Sequence, residues 1–303
     1  EIETGNGVLF VGRGEKACAT VGDFLPEWQL TVYRQDFCTP SWPENSVMYQ
    51  IFPDRFRKSG DDPLPQTKNK RLVHRDWYER PLFTQDDPKY EATDFFGGNL
   101  RGIIEKLPYI KSLGTTVLYL NPIFEAAANH RYNTGDYLKI DPYLGTAEDF
   151  ELLCREAEKL DISIILDGVF SHTGSDSVYF NKEGHYDSIG AFGSSESPYA
   201  SWYQFSEDRT RYESWWGFPT LPNVDETDPN YLAFICGKNG VLAHWMKAGV
   251  KGWRLDVADE LPDAFLEALR LRVKAEDRDS FIVGEVWEDA SNKSSSDIGG
   301  PTC

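Results

Sequence analysis

Two carboxylates 29 residues apart, Asp256 and Glu285, each close a short apolar run, "GWRLD" and "FIVGE". That spacing is about one strand–helix–strand repeat, so both side chains are expected at the same end of neighbouring parallel strands. Two carboxyls about 5 Å apart, one ionised and one protonated, are what retaining glycoside hydrolysis needs. If "GWRLD" is a strand, Arg254 and Asp256 share one face while Trp253 and Leu255 share the other. An ion pair inside a sheet costs more than it returns unless both groups are well hydrogen-bonded. Two readings follow: a structural ion pair, or an arginine that lowers the Asp256 pKa and keeps it ionised as a nucleophile. The apolar "FIVG" before Glu285 is a setting that raises a carboxyl pKa, as a general acid requires. Spacing alone leaves a third reading open, in which the two carboxylates are unrelated strand caps.

The elements that would position this pair read as parallel βαβ units. Apolar runs "VMYQIF", "TTVLYL", "ISIILD", "GWRLD" and "FIVGE" alternate with four helical segments, "NLRGIIEKLPYIKSLG", "TAEDFELLCREAEKL", "YLAFICGKNGVLAHWMKAG" and "LPDAFLEALRLRVKAE". Such strands are continuously apolar because helices cover them. Gly114 and Gly249 are stop signals for two of the helices. Open doubly wound sheets and (β/α)8 barrels share this texture. No G-x-G-x-x-G follows the first strand, and three strands end in a carboxylate, Asp167, Asp256 and Glu285, where barrel active sites lie. The expected fold is therefore an α/β (β/α)8 TIM barrel with about five strands present, over residues 41–293. An irregular, aromatic-rich insertion of about 173–230 follows strand 3. Residues 1–40, with "GVLFVGR" and "WQLTVYR", are expected to be the end of an amino-terminal β-sandwich module, and 294–303 a disordered or foreign tail.

Composition bounds the partners. A net charge of −18 argues against nucleic acid and against an anionic membrane surface, both of which need basic patches. Aromatic residues make up 14 % of the chain, and flat rings suit sugar faces as well as cores. Five scattered cysteines without a C-x-x-C pair predict free thiols and a reducing, cytoplasmic compartment. No apolar run reaches the ~20 residues of a membrane span.

With these residues in place, four short motifs in order resemble the α-amylase superfamily, glycoside hydrolase family 13: "DGVFSH" at Asp167–His172, "LPNVDE" at Leu221–Glu226, "GWRLDVADE" and "FIVGEVWED". "MYQIFPDRF" and "NHRYNTGDYLKIDPYLGT" are similar to the neopullulanase and cyclomaltodextrinase branch. The resemblance implies a retaining hydrolase of α-1,4 or α-1,6 links in maltodextrin, cyclodextrin or pullulan. It implies Asp256 as nucleophile, Glu285 as acid/base and Arg254 orienting the nucleophile. It further implies His172 hydrogen-bonding the sugar at subsite −1, Tyr132 stacking on that sugar and Asp167 bracing Arg254, with Glu260 and His130 as further substrate contacts. Read without the motif order, His172 is a loop histidine, Tyr132 a core aromatic and Asp167 a helix-cap acid. No cofactor is implied, and Ser171 stands where many members carry the Asn that helps to bind calcium, which weakens the case for a structural calcium ion. The family's fourth region, with a third catalytic Asp, does not occur in the sequence. The chain is thus expected to be the amino-terminal and central portion of an enzyme whose full-length form is a homodimer. A glucanotransferase or isomerase of the same superfamily, and a non-catalytic α-glucan-binding portion, are the alternatives.

Overall fold

The computed structural model describes residues 2–4, 7–13, 18–22, 35, 37–60, 64–69, 71–83 and 92–287. At the amino terminus β1 (Ile2–Thr4) pairs antiparallel with β2 (Gly7–Leu9), and β3 (Val11–Arg13) with β4 (Ala19–Val21). "GVLFVGR" is thus divided between two hairpins at Phe10, whereas "WQLTVYR" and the tail 294–303 lie outside the described residues. Then follow β5 (Met48–Ile51), β6 (Leu72–Val73), β7 (Asp94–Phe95), α1 (Leu100–Ser112), β8 (Val117–Leu120), β9 (Phe124–Ala126) and β10 (Thr134–Ile140). The chain continues through α2 (Ala147–Glu158), β11 (Ser163–Gly168), α3 (Pro229–Cys236), α4 (Val241–Lys247), β12 (Gly252–Leu255), α5 (Asp263–Glu276) and β13 (Phe281–Gly284).

The five apolar runs read from the sequence are the strands of one parallel sheet, ordered β5–β8–β11–β12–β13. Each strand lies beside the one before it, and the helices cover one face. Leu118, Leu120, Ile164, Leu166, Trp253 and Leu255 pack in a single core with Leu107, Phe150, Trp245 and Phe265 from the helices. On the opposite face Val117, Tyr119 and Ile165 meet Trp42 and Val283. One-sided covering with sequential strand order is barrel winding; a doubly wound sheet would carry helices on both faces. The fold is that of a (β/α)8 barrel, five of whose strands are described.

Capping residues account for where the helices begin. The Asn99 side chain accepts the Gly102 N–H at 2.8 Å, and Thr146 and Asp149 form a reciprocal capping box at α2. The third helical segment differs from expectation, because it is two helices, α3 and α4, broken at Gly237–Gly240. A Cβ on Gly237 would lie 2.2 Å from the Ala233 carbonyl oxygen, and one on Gly240 2.5 Å from that of Phe234. The chain turns there more tightly than any side chain permits. The periodicity analysis also missed the antiparallel β9–β10 hairpin, whose "TGDYLKI" carries four polar or glycine residues among seven. Between β11 and α3 the chain forms short 3-10 turns and the isolated bridges His172–Asn223, Phe205–Tyr212 and Ser214–Pro222. This stretch is packed by rings, with Phe180 touching Phe205, Tyr203 and Tyr212. Among the described residues no helix is long and apolar enough to cross a membrane, and Cys18, Cys38, Cys154 and Cys236 are free thiols.

Candidate active site

Strand register brings the charged residues together. Asp167 on β11 pairs with Arg254 on β12, which pairs with Val283 on β13, all at the carboxyl end of the sheet. By alternation Asp167 and Arg254 share the face opposite the helices, with Tyr119 below them. Asp256 is not inside the strand as expected: β12 ends at Leu255, and the Asp256 N–H donates to the Gly168 carbonyl at 3.0 Å. The chain then turns sharply at Val257, a β-branched residue at φ +42°, a conformation that such side chains avoid and that persists only under surrounding constraint. That turn aims the Val257 N–H at Glu285 Oε2, 3.1 Å away, and the Ala258 N–H at the Glu285 carbonyl, 2.9 Å away. Gly284 permits the approach, since a Cβ there would stand 2.7 Å from that of Ala258.

Arg254 is the centre of the site. Its Nη1 donates to Asp167 Oδ1 and to Asp256 Oδ1, each at 2.7 Å, and its Nη2 lies 2.7 Å from Glu285 Oε2. Asp167 Oδ2 accepts from Tyr119 at 2.5 Å and from Tyr132 at 3.0 Å. Asn121 donates to the Tyr132 oxygen at 3.0 Å and accepts from Gln50 at 2.9 Å, extending the network to β5. Tyr119, Asn121 and Gln50 were missed by the sequence analysis. Strand alternation within "TTVLYL" was the available signal for Tyr119.

The electrostatics reverse one expectation. Burial, followed by the Asp167 charge and, more weakly, that of Glu285, raises Asp256 to about 7, against the pull of Arg254. Asp167 is raised as well, by burial above all. One guanidinium cannot neutralise three carboxylates in a desolvated site, so the cluster retains a proton near neutrality. The apolar setting expected for Glu285 is also absent. Its side chain is 31 % exposed, because β13 has only β12 beside it among the described residues.

His172 is buried, its Nδ1 3.0 Å from Ser171 Oγ and its Nε2 without a hydrogen-bond partner at standard geometry among the described residues, and burial lowers its pKa to about 4. Its backbone is held by Tyr137, whose hydroxyl donates to the carbonyls of Val169 at 2.6 Å and His172 at 3.1 Å. His130 is lowered to about 4, also by burial, and its Nδ1 accepts the Tyr132 N–H at 3.1 Å. Glu260 is occupied by indoles: Trp215 Nε1 donates to its Oε2 at 2.8 Å and Trp216 Nε1 to its Oε1 at 3.1 Å. Trp215 lies 5.5 Å from the His172 ring, and the exposed Trp216 and Trp287 lie 5.7 Å apart. Sequence reading had not singled out these three tryptophans. The Ser171 hydroxyl lies 3.0 Å from His172 Nδ1. Among the described residues no group of three or more His, Cys, Asp or Glu is arranged to hold a metal ion.

Carboxylates gathered on one arginine at the carboxyl rim of sequentially wound parallel strands lie where barrel enzymes carry their active sites. The family model for the α-amylase catalytic domain matches residues 50–296, and the chain belongs to that family. It is 39 % identical to an amylopullulanase of Thermoanaerobacterium saccharolyticum, over 88 % of this chain and 23 % of that protein. It is 37 % identical to neopullulanase 2 of Thermoactinomyces vulgaris, over 84 % of this chain and 41 % of that protein. Among solved structures, the type III pullulan hydrolase of Thermococcus kodakarensis superposes with a TM-score of 0.70 at 28 % identity, covering 94 % of this chain and 49 % of that one. The cyclic α-maltosyl-(1→6)-maltose hydrolase of Arthrobacter globiformis gives 0.65 at 31 %, covering 82 % and 52 %. The chain thus spans about half or less of the length of these relatives.

Proposed function

We propose that the protein hydrolyses α-glucans of the maltodextrin, cyclodextrin and pullulan type with retention of anomeric configuration and without a cofactor. The observation that carries this reading is the Arg254 guanidinium shared by Asp256, Glu285 and Asp167. Asp256 and Glu285 stand on one guanidinium, and the reaction calls for the first ionised and the second protonated. Ionised Asp256 attacks the anomeric carbon while protonated Glu285 gives its proton to the glycosidic oxygen, and the leaving sugar departs. Glu285, now a carboxylate, takes a proton from water, which attacks the anomeric carbon and releases Asp256. Tyr132, tied to Asp167, offers its ring to the sugar beside Asp256. Trp216 and Trp287 add exposed flat surface at the rim, suited to further sugar rings.

Proton NMR of maltotriose digestion tests this reading. The α-anomer is expected as the first product, and Asp256→Asn should lose more than about a hundredfold in kcat with substrate binding kept. First release of the β-anomer, or near-normal turnover by Asp256→Asn, would overturn it. Accumulation of longer oligosaccharides would point to the transferase alternative.

A further inference from the structure

The loop that carries Tyr132 is anchored from behind. Arg131 has φ +62°, a left-handed conformation unusual for a long side chain, and the residue is fully buried. Its Nη1 donates to the Asn129 carbonyl at 2.8 Å and its Nη2 to Asp141 Oδ1 at 3.2 Å. Asp141, also fully buried, follows β10 and is gripped a second time by Arg71, from Nη1 to Oδ1 at 3.0 Å and from Nη2 to Oδ2 at 2.6 Å. The Arg71 guanidinium also donates to the Ala126 carbonyl and lies over the rings of Phe95, at 4.6 Å, and Tyr143, at 4.4 Å. Burial would raise Asp141, yet the charges of Arg131 and Arg71 hold it below its ordinary value. Among the described residues neither arginine hydrogen-bonds a carboxylate of the cluster, and Arg131 immediately precedes Tyr132 in the chain.

We propose that Arg71 and Arg131, acting through Asp141, are positioning residues that fix the 128–133 turn and so aim Tyr132 at Asp167 and at the bound sugar. The proposal rests on the α-glucan reading of the site. A strained turn held by a bidentate ion pair is preorganised: the ordering cost falls on folding rather than on substrate binding. Arg71 belongs to the excursion between β5 and α1, so a segment distant in sequence decides the posture of a substrate platform.

A double-mutant cycle on the Kd for maltotriose, measured by calorimetry in full-length protein carrying Glu285→Gln to prevent turnover, isolates this coupling. Arg71→Met should raise Kd by about fivefold or more when Tyr132 is present, and by less than about twofold in a Tyr132→Ala background. Equal effects in the two backgrounds, or no change in Kd despite a lowered Tm, would show that Arg71 serves folding alone and would overturn the proposal. If Arg71→Met does not fold, Arg71→Lys carries the same comparison, since it keeps the charge and loses the planar fork. A Tyr132→Ala Kd equal to that of the parent would remove the platform and the proposal together while leaving the α-glucan reading intact. No binding by the parent would overturn that reading itself.

Discussion

Asp256 is maintained against its own solvation. It is 7 % exposed and its pKa is raised to about 7, above the ~3.9 of an unfolded chain. Between those values the native state holds a proton that the unfolded state has lost, so this group makes stability fall as pH rises from about 4 to about 7. Asn does not titrate, and Arg254 keeps Asp167 and Glu285 as partners. Asp256→Asn is therefore expected to be more thermostable than the parent at pH 8, by at least about 3 °C, with the gap narrowing at pH 5. Calorimetric scans at the two pH values decide this; a gap independent of pH would show that Asp256 is not held above its ordinary range. The residue types at this site were legible because chemistry restricts them. Their protonation was not, since "WRLD" places one arginine beside one aspartate, whereas the fold brings two further carboxylates to the same guanidinium.

At the scale of elements, close approach competes with propensity. Gly102 lies within α1, where alanine is favoured over glycine by ~0.8–1.0 kcal/mol. A Cβ at Gly102 would stand 2.0 Å from the Arg57 carbonyl oxygen, whose backbone crosses the helix there. Backbone cannot rotate aside as a side chain can, so the clash wins. Gly102→Ala is expected to cost about 2 kcal/mol or more, a fall of roughly 4 °C or more in Tm by scanning fluorimetry. A variant as stable as the parent would mean that Arg57 yields easily. The same kind of contact explains why the α3–α4 break escaped periodicity: "YLAFICGKNGVLAHWM" is apolar at helical spacing on both sides of the glycines, and only the tight turn distinguishes one helix from two.

For the whole molecule, a net charge of −18 predicts self-repulsion in the compact state. Raising NaCl from about 10 to 150 mM shortens the screening length from about 30 to 8 Å, and Tm should rise by a few degrees over that interval. A flat or falling Tm would show that local ion pairs outweigh the net charge. The sequence by itself determined the five strands of the parallel sheet, the barrel as against a dinucleotide-binding sheet, and the carboxylates of the rim. Each of these follows from local pattern: apolar runs of strand length, helical segments between them with glycine stops, and acids at strand ends. Only the tertiary structure decided that Arg254 serves three carboxylates, that Tyr119 and Tyr132 meet on Asp167, that Glu260 holds two indoles, and that Arg71 reaches Asp141. Apart from Arg254 and Asp256, which are two residues apart, these pairs lie 31 to 87 residues apart, and their meeting depends on sheet register and loop paths that no local pattern encodes.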